Sequence, residues 1–185
     1  MRPRVDPRAA RPNPMAELTT KERLQPSLLD RLTDDEPDKV QESRDRRVLS
    51  NQRLRDSVRR DLNWLFNTTN LAAVQPLELY PEVERSVLNY GLPDLAGRTA
   101  TSIDRDALER QLRRAIWEYE PRLIRKTIQV KLALESEELN HNAMNFSIRA
   151  ELWAQPLPLR LFLRTDLDLE TGEASVTEDA GPKVD

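Results

Sequence analysis

Two glutamates and an arginine crowd together in Glu118-Tyr119-Glu120-Pro121-Arg122, and no other stretch of the chain so plainly invites a chemical reading. A pair of carboxylates can run glycoside hydrolysis, one as the acid and the other as nucleophile or base. Two positions of separation on a helix, however, turn side chains about 200° apart, so Glu118 and Glu120 cannot flank one bond from the helix itself. No glycine-rich or polar-aromatic loop adjoins them to line a sugar cleft, and no catalytic residue is expected. His141 is the single histidine, in a polar loop from Glu137 to Asn142. Without cysteine or a second histidine, a metal site would have to be mostly carboxylate, so neither metal nor cofactor is expected. The glycines stand at 91, 97, 172 and 181, too scattered for a phosphate-cradling loop.

What remains at this stretch is geometry. Leu108, Leu112, Ala115, Ile116 and Tyr119 share one face of a helix over 103–119, capped by Ser102 or Asp104 and stopped by Pro121. Beyond the proline the period changes from 3.6 to 2, with no spacer. Ile124, Ile128, Val130, Leu132 and Leu134 point one way, and Arg125, Thr127, Gln129 and Lys131 the other. Glu120 and Arg122 therefore flank a corner where helix, sheet and any docking partner meet.

The other elements follow from the same two periods. Leu24, Leu28, Leu29 and Leu32 recur at helical spacing and end near Asp34. A second helix, from Ser50 or as early as Arg44, carries the stripe Leu54, Val58, Leu62, Leu65 and Phe66. Pro81 opens a short helix that stops at Gly91. Further strands are expected over 144–152 and 159–169, with Ala174 to Thr177 pairing back after a Thr171-Gly172 turn. The expected fold is α+β, with N-terminal helices packed on one face of a three- to four-stranded antiparallel C-terminal sheet. A basic Pro/Arg-rich arm at 1–17 and an acidic tail at 178–185 are expected to be disordered and to flank a single domain at 18–177.

Composition narrows the function classes. Of 185 residues, 33 % are charged and 38 % hydrophobic, with a net charge of -3 that argues against polyanion binding by the whole molecule. The helix over 44–66 carries seven arginines against three aspartates. Its aromatic residues cluster at one end instead of alternating with the basic ones, so a solvated or protein-facing surface is expected and no nucleic acid. No apolar run approaches the roughly 20 residues that span a bilayer, so no membrane insertion is expected, and the cytoplasm is the simplest address.

Three blocks carry a resemblance: Ser57 to Thr68 (SVRRDLNWLFNT), Tyr80 to Gly97 (YPEVERSVLNYGLPDLAG), and Glu120-Pro121-Arg122. Together they resemble the type VI secretion baseplate subunit TssE, a relative of the phage baseplate wedge proteins of the gene-25 type. The likeness runs from about Leu24 to Gly172. It implies a non-enzymatic wedge component in a hetero-oligomer with TssF, TssG and TssK, which also offers the sheath subunits TssB and TssC a first docking surface. The family's core resembles the sheath's own interlocking domain, so strand exchange is the implied link. The Glu-Pro-Arg hallmark falls on Glu120, Pro121 and Arg122, and these with Ile124 and Ile128 are the expected partner-binding residues. Strands 122–135 and 159–169 are the expected acceptor edges. Relatives labelled lysozyme-like make a peptidoglycan hydrolase the alternative.

Overall fold

The computed structural model describes residues 27–33, 50–99, 102–132, 143–154, 157–179 and 181. His141, Leu134, the arm at 1–17 and most of the tail lie outside them. The chain divides into two units, Met1–Leu49 and Ser50–Asp185. The described part of the first is helix α1 (Leu28–Leu32), whose Ser27 cap accepts from the Asp30 N–H at 3.2 Å.

The second unit is an α+β fold. Helices α2 (Asn51–Phe66), α3 (Pro81–Glu84) and α4 (Arg105–Tyr119) precede strands β1 (Gln129–Leu132), β2 (Ala143–Leu152), β3 (Leu159–Asp168) and β4 (Ala174–Glu178). The strands form one antiparallel sheet in the order β1-β2-β3-β4. Helix α2 starts where the Ser50 side chain accepts from the Arg53 N–H, and α4 where Asp104 accepts from the Ala107 N–H. The expected stripe of α2 is buried in full, as are Leu108, Leu112, Ala115 and Ile116 of α4.

The helices cover one sheet face, α2 against β3 and β4 and α4 against β1. Met144, Phe146, Ile148, Ala150 and Leu152 of β2 point into the core, as do Leu161, Leu163 and Leu167 of β3. Each large side chain so buried contributes about 1.5–3 kcal/mol. Phe66 meets Phe146 edge to face, ring centres 5.6 Å apart, which locks α2 to the middle of the sheet.

Two expectations are corrected. The strand does not leave Pro121 directly: a turn and a single 3₁₀ turn (Arg125–Thr127) intervene before β1 begins at Gln129. Leu123 already bridges Leu152, with the Ile124 N–H on the Glu151 carbonyl and the Trp153 N–H on the Arg122 carbonyl, both at 2.8 Å. From that bridge to the Gln129–Arg149 pair, β2 advances three residues while the first strand's chain advances six. The three extra residues bulge out as the 3₁₀ turn, and the Thr127 hydroxyl accepts the Glu151 N–H at 2.9 Å in place of a ladder carbonyl. Ile124 and Ile128 are four apart, a spacing that suits alternation and a helical turn equally, so period alone could not reveal the bulge. The second correction concerns 159–169. β3 lies between β2 and β4 and is paired on both sides over Leu163–Leu167, so it is not an edge strand along that stretch.

Candidate docking site at the Glu120-Pro121-Arg122 corner

The corner is built from the end of α4. Tyr119 is its last helical residue, and the Glu120 N–H still bonds the Ile116 carbonyl. Pro121 has no N–H to continue the ladder and forces the preceding residue out of helical geometry, leaving Glu120 at φ -119 and ψ 80. That turn swings the Glu120 side chain inward, where the residue is 2 % exposed.

Arg122 meets it there. The guanidinium holds the carboxylate by a fork, Nε to Oε1 at 2.7 Å and Nη2 to Oε2 at 2.5 Å, and the Arg122 backbone N–H adds a third bond to Oε1 at 3.1 Å. The same guanidinium reaches α2, donating through Nη2 to Asp61 Oδ2 at 2.5 Å and through Nη1 to Ser57 Oγ at 3.1 Å. Ser57 in turn donates to the Leu54 carbonyl at 2.9 Å. One arginine thus ties the end of α4, the chain entering the sheet, and the middle of α2. Burial works against its charge, but the bonds and attraction of Glu120, and then Asp61, outweigh that and lift its pKa above the ordinary arginine value. Arg122 is a cation at every pH the fold survives.

A second set of contacts fastens residues 86–92 to this corner. The Tyr119 hydroxyl lies 3.0 Å from the Ser86 carbonyl and 2.9 Å from that of Asn89. Tyr90 stacks edge-on against Tyr119 at 5.2 Å, and its hydroxyl reaches the Asp61 carbonyl at 3.4 Å. Burial raises the pKa of both tyrosines. The negative charges of Asp61 and Glu120 add to the shift at Tyr90, and that of Glu118 does so at Tyr119 against the opposing pull of Arg114. The Leu92 N–H bonds the Thr68 carbonyl and the Asn70 N–H bonds the Leu92 carbonyl, each at 2.8 Å. The first two motif blocks are therefore paired in space, and Glu-Pro-Arg closes the triangle.

The two sheet edges differ. Along β4, the side-chain amide of Asn67 accepts from the Ala174 N–H at 2.9 Å and donates to the Ala174 carbonyl at 2.8 Å, while Asn63 accepts from the Val176 N–H at 3.3 Å. Arg55 pairs with Glu178 at 2.7 Å. Helix α2 thus occupies that edge as another strand would. Along the outer edge of β1, the Leu132 N–H donates to Glu109 of α4 at 2.9 Å. Ladder alternation turns the N–H and C=O of Val130 outward with those of Leu132. Among the described residues nothing bonds the Val130 pair, although Val130 itself is fully buried, at 0 % exposure.

Of the five residues expected to touch a partner, Pro121 is exposed, and Arg122 and Ile124 are half-buried. Glu120, at 2 %, and Ile128, at 5 %, are inside, so their side chains hold the fold and present no surface. Glu118 points the other way, exposed and paired with Arg114 at 3.2 Å. With both Glu120 oxygens taken by Arg122, the two carboxylates share no cleft. Among the described residues, no group of three or more His, Cys, Asp or Glu could hold a metal ion.

Sequence reasoning did not find Ser57 and Asp61 as partners of Arg122, nor Asn63 and Asn67 as edge caps. A signal was present: Ser57 and Asp61 stand four apart along the border of the apolar stripe, and Asn63 and Asn67 repeat that spacing along another line of α2.

A family model described as baseplate wedge protein gp25 matches residues 52–157. That span holds the clamp, its partners in α2, the edge-capping asparagines and β1. No curated protein and no solved structure gives a match.

Proposed function

The chain belongs to the family of the baseplate wedge protein gp25, and from that premise we propose that it is a wedge component of a type VI secretion baseplate, in the cytoplasm, linking TssF, TssG and TssK to the contractile sheath of TssB and TssC and seeding the sheath's growth. The observation that carries this reading is the asymmetry of the sheet: side chains of α2 bond the outer backbone groups of Ala174 and Val176 in β4, whereas the outer N–H and carbonyl of Val130 in β1, though buried, have no hydrogen-bond partner among the described residues. An extended segment of a sheath subunit displaces what covers Val130 and adds there by main-chain hydrogen bonds. The clamp fixes the place and direction at which β1 starts, so its contribution to docking is made through the backbone. The hydrolase alternative loses its acid, because Glu120 is buried and bonded at both oxygens. Among the described residues no helix is long and apolar enough to cross a membrane.

Because the chain has no cysteine, single substitutions place a photo-crosslinker cleanly. On Lys131→Cys, in β1 itself, it labels TssB or TssC in assembled baseplates, and on Ser175→Cys, three strand spacings or about 14 Å across the sheet, it does not. Equal labelling from both sites, or labelling from 175 alone, would remove β1 as the docking edge.

A further inference from the structure

Residues 71–90 form a lobe that keeps an unusual number of apolar side chains in water. Its polar Asn89 is inside, the side-chain amide accepting from the Ala72 N–H and donating to the Glu84 carbonyl, both at 2.9 Å. Leu77 is also inside, but five of its large apolar side chains are outside: Val74 is 79 % exposed, Leu79 85 %, Tyr80 54 %, Val87 79 % and Leu88 68 %. A lobe held together by polar bonds and anchored by Tyr119 can keep large apolar groups in water without collapsing on them. Single exposed apolar residues are ordinary, but five on one short lobe mark a place where another molecule sits.

The occupant's chemistry follows from the backbone and the rim. The lobe consists of 3₁₀ turns at 71–73 and 87–89 around α3, with no strand edge to extend, so a partner must bring side chains instead of main-chain bonds. The rim is acidic. Glu78 and Glu82 are exposed, and Glu84 and Glu118 share the one guanidinium of Arg114, at 3.1 and 3.2 Å, leaving Arg85 as the opposing charge on the lobe. We propose that this lobe is a docking surface for an amphipathic helix of another protein, one whose apolar face is flanked by lysine or arginine. The surface is separate from the β1 edge and does not depend on sheath binding.

The test uses the full chain and two synthetic helices of about 15 residues, long enough to fold on the surface. One carries leucine with lysine and the other the same leucines with glutamate, and binding is followed by calorimetry. The lysine helix is expected to bind roughly tenfold tighter than the glutamate helix, and Val87→Ser with Leu88→Ser to weaken it by about tenfold. The melting temperature should not change, because those side chains are already in water. Val74→Ser with Leu79→Ser serves as the second variant. Equal affinity for the two helices, or unchanged affinity in both variants, overturns the proposal. So does a dimer of the free chain, seen by sedimentation, that the same substitutions dissociate, since the occupant would then be a second copy.

Discussion

Glu120→Ala is expected to lower the stability of this protein by about 3 kcal/mol, because it leaves the Arg122 guanidinium half-buried with, among the described residues, Asp61 and Ser57 alone to answer it. For a chain of this size that is a fall of about 10 °C in the unfolding midpoint. Arg122→Ala should cost as much or more, since it strands the carboxylate of Glu120 at 2 % exposure and cuts α2 loose from the corner. Glu118→Ala, two residues away but exposed and paired with Arg114, should stay within about 0.5 kcal/mol of the parent. Thermal melts of the three variants decide the point. A Glu120→Ala protein as stable as the parent would mean that the buried fork contributes nothing to the fold. If Glu120 and Arg122 served only to touch a partner, as the resemblance implies, alanine at either position would leave a folded protein defective only in sheath growth. The burial of the pair replaces that expectation: loss of assembly in these variants would follow from loss of structure.

Gly91→Ala should be worse still. Gly91 sits at φ 121, where side chains are rarely tolerated, and a Cβ there would lie 2.2 Å from the Thr68 carbonyl oxygen and 2.8 Å from its carbon. Both obstacles are backbone, and Thr68 is held by the Leu92 N–H, so neither can swing aside as a side chain could. Relief requires parting the pairing of Thr68–Asn70 with Leu92, which joins the first two motif blocks and carries the Asn89 lobe. The strain of that backbone region alone costs about 1–3 kcal/mol, and the clash adds to it. The expected result is a chain recovered mainly in the insoluble fraction. Gly97→Ala is the control, since φ is 73 there but nothing lies within 4 Å of the added carbon; it should remain soluble. Equal solubility of the two variants would show that the Thr68–Leu92 pairing is dispensable.

The α+β layout was readable because its signals are local and periodic. Ser50 and Asp104 cap the helices they were expected to begin, and the alternation from Met144 to Leu152 gave β2 to within a residue. The first strand was misread because Leu123, Ile128 and Val130 are buried from both sides of a bulge, and side-chain alternation carries no mark of an inserted 3₁₀ turn. The corner itself was found, yet its purpose was hidden. Whether Glu120 faces solvent or the core depends on Asp61 and Ser57, about sixty residues earlier in the chain, and no spacing rule ties them to Arg122. The sealed edge was hidden for the same reason, since an asparagine at a helix end reads equally well as a cap or as a plug for a strand that is 107 residues away.

Hydrogen exchange at one amide bears most directly on the claim that β1 is where the sheath begins. In the free protein the Val130 N–H, buried but without a hydrogen-bond partner among the described residues, should exchange faster than the hydrogen-bonded amides of β2 and β3 in the interior of the sheet. On assembly with TssB and TssC, Val130 should slow by on the order of 100-fold, as a new strand takes its N–H and carbonyl. If Val130 exchanges as fast in the assembled sheath-bearing baseplate as in the free chain, the sheath does not dock on this edge.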